Sequence, residues 1–132
     1  MEESIFTKII NGDIPCHKIY EDDLTIAFMD IHPVQPGHVL VVPKKEVDHF
    51  DDLETTDYQA VWETVKKIAK AQKKTFNPQR IGVKIEGFDV PHAHVHLIPV
   101  NNIAELKGTA NMSAEPNHAM LANKANEIKE NL

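Results

Sequence analysis

Three histidines at alternate positions, His92, His94 and His96, are separated by Ala93 and Val95 and followed by Leu97 and Ile98; this run constrains the chain more than any other feature. A β-strand points successive side chains to opposite faces. The spacing therefore predicts a strand over 92–98 with three imidazoles on one face and Ala93, Val95 and Leu97 on the other. Both faces are then buried or functional. Same-face neighbours on one strand lie roughly 6.5–7 Å apart. A pair of imidazoles can meet one metal ion at that spacing, but three cannot without strong twist. One imidazole with two flanking partners around a phosphate fits better, and no metal is expected.

Composition narrows the classes. A chain of 132 residues, 42% hydrophobic and 26% charged, is expected to form a single soluble domain around one core. A net charge of −6 argues against nucleic acid as a partner, because a phosphate backbone asks for a basic surface. It does not bear on a single nucleotide. Met1-Glu2-Glu3-Ser4 is acidic and lacks the apolar stretch of a signal peptide, and no run approaches transmembrane length, so no membrane association is expected. Cys16 is the sole cysteine, which excludes an intrachain disulfide, fits a reducing cytoplasm and reads as structural rather than reactive.

The remaining elements follow from periodicity and punctuation. Ser4 as N-cap, apolar Ile5, Phe6, Ile9 and Ile10, and the Asn11-Gly12 stop predict a short first helix. Strands are predicted at about 18–20, 25–30, 38–42 and 80–86, in addition to 92–98, with a tight turn at Glu21-Asp22-Asp23 and a loop over 32–37. Tyr58, Val61, Trp62, Val65, Ile68, Ala69 and Gln72 recur at helical spacing and predict a central helix, with Glu63, Lys66, Lys67 and Lys70 facing water. Pro116 and the series Leu121, Ala125, Ile128 and Leu132 predict a C-terminal helix over about 116–130. The expected fold is α+β: a five-stranded antiparallel sheet with a long central helix, short N- and C-terminal helices, and the helices collected to one side.

The chain resembles the histidine triad (HIT) superfamily of nucleotidyl hydrolases and transferases, whose signature is His-x-His-x-His followed by apolar residues. The resemblance also runs through Ile5 to Pro15, Tyr20 to Asp23, Ala27 to Ile31 and Pro36 to Lys44, covering about residues 4–100 of one domain spanning 1–132. It implies a Hint-like enzyme that attacks the α-phosphate of a purine nucleotide, with no cofactor. A neutral imidazole is a competent nucleophile toward phosphorus, and the phosphoramidate it forms is labile enough to split one hard displacement into two easier ones. His94 matches the nucleophile. Its outward nitrogen can attack only if the other holds the proton, which requires an acceptor that the sequence does not identify. His96 and His38 match histidines that contact the transferring phosphate, and His92 matches a more architectural position. Asp30 matches a carboxylate that accepts ribose hydroxyls, while Phe6, Ile9, Phe28 and Ile31 match an apolar pocket around the base.

Three departures bear on this reading. Many bacterial relatives hold a structural zinc on two cysteines, a histidine after Pro-Lys-Lys and the first triad histidine; those positions here are Ser4, Thr7, Glu46 and His92, with no thiolate left. The usual Asn-x-Gly reads Ile85-Glu86-Gly87. The usual Gly-Gln-x-Val reads Gly87-Phe88-Asp89-Val90, which sets a carboxylate, Asp89, near the leaving group. The resemblance further implies a homodimer built from the central helix and the 80–86 strand, with Trp62 as an anchor. Nucleoside phosphoramidate hydrolysis is the favoured activity. Dinucleoside polyphosphate hydrolysis and a nucleotide-binding or scaffold protein with little turnover are the alternatives.

Overall fold

The computed structural model describes residues 3–132; Met1 and Glu2, read above as part of an acidic terminus, lie outside the described residues. Strands β1 (Lys18–Glu21), β2 (Thr25–Met29), β3 (Val39–Pro43), β4 (Arg80–Lys84) and β5 (Val95–Val100) form one antiparallel sheet in the order β1-β2-β3-β5-β4. Helices are α1 (Ile5–Ile10), α2 (Thr55–Phe76), α3 (Ile103–Lys107) and α4 (His118–Glu130). The expected α+β fold is present.

Alternation along the central strands builds two cores. Ala27, Met29, Val39, Val41, Val95 and Leu97 face Val61, Val65, Ile68 and Ala71 of α2 and Leu121, Ala125 and Ile128 of α4. Ile26, Phe28, Leu40 and Val42 point the other way and pack on Phe6 of α1. The helices are therefore not all on one side: α1 covers the face opposite α2 and α4. With both faces covered, every residue of β2, β3 and β5 is buried, which hides the simple alternation of a half-exposed sheet.

The structure corrects several boundaries. β5 begins at Val95, so His92 and His94 precede the strand. The pairing of β3 with β5 covers only Val39↔Leu97 to Val41↔Val95; beyond it, Ala93 N–H donates to the Val47 carbonyl at 2.7 Å. The buried stripe of α2 is also rotated. Tyr58 is exposed, and Trp62 and Ala69 are only partly covered, while Thr64 and Ala71 turn inward. Thr64 belongs there because its hydroxyl meets that of buried Thr25 at 2.7 Å, a polar pair invisible to an apolar pattern. Helix α3 has no counterpart in the sequence reading. Pro116 precedes the Asn117 cap of α4, and Leu132 is exposed past its end.

Gln72, fully buried on α2, joins the helix to the strands that carry the histidines. Its Nε2 donates to the carbonyls of Gly37 and Leu97 at 2.9 and 3.0 Å. Gly37 has φ +87°, and a Cβ there would clash with the Phe76 ring. Gly12, at φ +82°, has open space around it. Gly37→Ala is expected to cost at least about 2 kcal/mol through left-handed strain plus overpacking, and Gly12→Ala about 1 kcal/mol through strain alone. Urea unfolding of both variants measures the difference; equal losses would contradict the role given to the Phe76 contact.

Candidate functional site

The histidines gather on the sheet face opposite α2, where His38, just before β3, meets His96 of β5 and His94 just ahead of it. The His94 and His96 ring centroids are 4.9 Å apart and those of His38 and His96 5.2 Å apart. All four imidazoles, His92 included, are buried. Phe6 of α1 stands edge-on to the His94 ring at 4.9 Å, to His92 at 5.8 Å and to Phe28 at 5.6 Å. Phe6, Phe28 and the partly buried Ile9 thus form one apolar wall beside the triad. Ile31 is 42% exposed and lies outside that cluster.

Hydrogen-bond partners fix the proton on each ring. A backbone carbonyl only accepts and an amide only donates. His94 Nδ1 lies 2.7 Å from the His92 carbonyl, so Nδ1 carries the proton and Nε2 presents a lone pair. His38 Nδ1 accepts from Val34 N–H at 3.1 Å, so its proton sits on Nε2, which donates to His96 Nδ1 at 2.9 Å. The His96 proton is thereby placed on its own Nε2. His92 Nε2 donates to the Pro43 carbonyl at 2.8 Å, which leaves its Nδ1 to accept the Ser4 hydroxyl proton at 2.7 Å.

This accounting leaves two ring atoms unused. Among the described residues, the buried side-chain polar atoms without a partner are His94 Nε2, His96 Nε2 and Gln72 Oε1. The first is a lone pair and the second an N–H, on adjacent rings. Buried polar groups are rarely left unpaired unless something else is meant to meet them. A tetrahedral group seated there could be attacked by one ring and held by the other. Both nitrogens of His38 are committed within the protein, so the expected contact of His38 with a phosphate would require one of these hydrogen bonds to open.

Beside His96 lies an open cavity of about 290 Å³ whose lining includes Asp30, His38, Lys84, Asp89, His96 and Met112, while His94 lines a smaller one of about 130 Å³ that shares Glu86 with it. Asp30 Oδ2 is 3.6 Å from His38 Nε2, its Oδ1 accepts from His32 N–H at 2.8 Å, and burial raises its carboxyl pKa. Asp89 Oδ1 is 3.6 Å from His94 Nε2 and also accepts from Val90 N–H. Phe88, at the position where the resemblance implies a glutamine, is 94% exposed. Sequence reasoning missed Lys84, the sole Lys or Arg in this lining. Strand register brings it in, since Lys84 pairs directly with His96 across β4 and β5, and no local pattern encodes that pairing. It also missed the 108–112 segment that closes one side.

Asp30, His38 and His96 place one ligand atom each within 4.8 Å of the others, but His38 Nε2 holds a proton and the His96 Nδ1 lone pair accepts it. The set is already satisfied without a cation.

Burial pushes the His38 pKa down to about 3 and that of His96 to about 4, with neighbouring histidines and Lys84 adding to the effect. Below pH 6.5 the unfolded chain takes up protons that these folded rings refuse. Their contribution to stability is therefore complete above about pH 6.5, declines as pH falls below it, and levels off only once pH has passed through about 4 and 3. The melting temperature is expected to fall across that window, and ¹⁵N-detected titration is expected to find both rings neutral at about pH 5.5. Either ring titrating near pH 6.5 would contradict the burial.

The HIT domain sequence pattern matches residues 11–103. The crystal structure of a Hit-like protein involved in cell-cycle regulation from Bartonella henselae is similar with a TM-score of 0.84 at 37% identity, covering 98% of this chain and 97% of that one. The adenosine 5'-monophosphoramidase hnt1 of Schizosaccharomyces pombe is 38% identical over 99 residues, 74% of this chain and 74% of its own. The asymmetrical bis(5'-nucleosyl)-tetraphosphatase of the same yeast is 34% identical over 85 residues, 61% of this chain and 47% of its own. Pattern, sequence and fold agree across most of the molecule: the chain belongs to the HIT family.

Proposed function

We propose that the protein is a HIT nucleotide hydrolase or transferase that attacks the α-phosphate of a purine nucleoside phosphoramidate through a covalent nucleotidyl-His94. The observation that carries this reading is the adjacent pair of unpartnered buried atoms, the His94 Nε2 lone pair and the His96 Nε2–H. A binding module has no use for a neutral nucleophile held in one tautomer. In the first step the Nε2 lone pair forms a bond to phosphorus, the P–N bond to the leaving group breaks with its electron pair going to nitrogen, and that nitrogen takes a proton from solvent and departs as an amine. In the second, water adds to phosphorus, the Nε2–P bond breaks, and the electron pair returns to the ring as the water loses a proton. His96 Nε2–H meets a phosphoryl oxygen as charge grows on it, the use for which preorganised donors are worth most.

Substrate roles follow from position. Asp30, half-buried at the cavity rim, accepts ribose hydroxyls, and the wall of Phe6, Ile9 and Phe28 flanks the base. Lys84 adds the cavity's positive charge for the phosphate. The relation to the yeast monophosphoramidase supports a P–N substrate, and that to the tetraphosphatase keeps dinucleoside polyphosphates as the second reading. A homodimer belongs to the same proposal: β4 is an open sheet edge with exposed Val83, and Tyr58 and Trp62 present neighbouring rings on α2. No helix among the described residues is long and apolar enough to cross a membrane.

His94→Ala is expected to reduce turnover of adenosine phosphoramidate more than a hundredfold while nucleotide affinity stays within a few-fold, because the lost bond exists only in the transition state. His38→Ala is expected to cost on the order of 10²–10³ in rate, as loss of an oxyanion donor does, by freeing the His96 ring to turn. Steady-state kinetics with calorimetric binding separates the two effects. Turnover by His94→Ala above about a hundredth of the parent rate would exclude the covalent route.

Asp89 bears on the choice between the two activities. A carboxylate 3.6 Å from the attacking nitrogen repels an anionic leaving group and accommodates a cationic one. Asp89→Asn is expected to raise the rate on diadenosine polyphosphate relative to adenosine phosphoramidate. An unchanged ratio would remove Asp89 from substrate selection.

A further inference from the structure

The four positions at which relatives bind zinc are closed here by direct hydrogen bonds. The Ser4 hydroxyl donates to His92 Nδ1 at 2.7 Å and accepts from Thr7 N–H at 3.0 Å. Glu46 Oε1 accepts from Ser4 N–H at 2.7 Å and from the Thr7 hydroxyl at 2.6 Å. Tetrahedral zinc with bonds of about 2.0–2.1 Å keeps its ligand atoms roughly 3.3 Å apart. Ser4 Oγ and His92 Nδ1 are closer than that, and the lone pair a metal would need is taken by the hydroxyl proton. With two hydroxyls, one exposed carboxylate and one engaged imidazole, these residues do not fit a zinc ion.

The clasp lies one step from the proposed nucleophile. Ser4 and Thr7 anchor the start of α1, whose Phe6 supports the His94 ring. Residues 43–47 grip the triad twice, through His92 Nε2–H on the Pro43 carbonyl and Ala93 N–H on the Val47 carbonyl. The His92 carbonyl then accepts the His94 Nδ1 proton. Three segments distant in sequence thus meet at the group that sets the His94 tautomer. Ser4 makes two separable contributions, an N-cap that any acceptor side chain can supply and a hydrogen bond to His92 that only a donor can supply.

We infer that Ser4, Thr7 and Glu46 form a metal-free clasp whose Ser4-to-His92 hydrogen bond holds the His92 carbonyl against His94, which makes these three positioning residues for nucleotidyl transfer. The inference rests on the nucleophile reading above. The clasp takes over the fastening that a metal provides in relatives, with the difference that its strength depends on a hydroxyl proton and not on thiolates.

The experiment compares Ser4→Asp, Ser4→Thr and Ser4→Ala by kinetics and by ¹⁵N NMR of the histidine rings. Ser4→Asp keeps a capping acceptor and loses the donor. It is expected to lower kcat tenfold to a hundredfold, on the scale of about 10² seen for slight misplacement of reacting groups, with KM within about twofold, and to shift the ring-nitrogen resonances of both His92 and His94. Ser4→Thr, which retains the hydroxyl, is expected to restore both readouts. A Ser4→Asp variant with parental kcat and an unmoved His94 tautomer would overturn the inference, as would Ser4→Ala matching the parent. The parent protein is expected to hold no stoichiometric zinc after incubation with the ion, while the triple variant Ser4→Cys, Thr7→Cys, Glu46→His is expected to hold one zinc per chain. Stoichiometric zinc on the parent would overturn the metal-free clasp. If the parent turns over no phosphoramidate, the function proposed above fails, and the NMR comparison still decides whether Ser4 governs the His94 tautomer.

Discussion

The hydrogen bond from His94 Nδ1 to the His92 carbonyl, 2.7 Å long and buried, is the interaction on which the proposed chemistry of this molecule depends. It spends the one proton of a neutral imidazole on the backbone and leaves the other nitrogen free. Reverse it, and Nε2 becomes a donor with no nucleophilic character. A bond between residues two apart needs an irregular backbone, which explains why the strand starts at Val95 and not at His92. The departure from regular β-structure is where the proposed nucleophilic atom is set free.

Holding that irregular segment is the task of much of the surrounding structure. From below, β5 is clamped between β3 and β4, and Gln72 ties the Leu97 and Gly37 carbonyls to α2. From above, the Pro43 carbonyl takes the His92 Nε2–H and the Val47 carbonyl takes the Ala93 N–H. At the side, α1 brings Phe6 against two triad rings. The same packing desolvates His38 and His96 and keeps them neutral well below their ordinary range. A buried cluster of imidazoles survives here because each ring nitrogen has a hydrogen-bond partner, except His94 Nε2 and His96 Nε2.

Much of this was legible in the sequence, for physical reasons that can be named. Ser4 as a cap, the Asn11-Gly12 stop and the apolar runs in 25–30 and 38–42 are local signals, and all led to the right elements. The resemblance carried by the triad and its flanking motifs identified the family. What the sequence could not carry is long-range register and hydrogen-bond polarity. Nothing near Lys84 says that it sits opposite His96, and nothing near His94 names the carbonyl that fixes its proton. On α2, Thr64 was missed because a buried hydroxyl looks polar, and Tyr58 was misassigned because a ring near a helix start looks apolar. The replacement of cysteines by Ser4 and Thr7 indicated only a lost metal site; that the new residues bond to one another required the fold.

The claim at the centre is that a neutral His94 forms a bond from Nε2 to the α-phosphorus. Acid-sparing rapid quench of one turnover with adenosine phosphoramidate, followed by intact-mass analysis and peptide mapping, tests it most directly. The account predicts a transient adduct of one adenylyl group per chain located on His94, formed before AMP is released. Turnover with no adduct at any time, or an adduct located on His96 or His38, would contradict it.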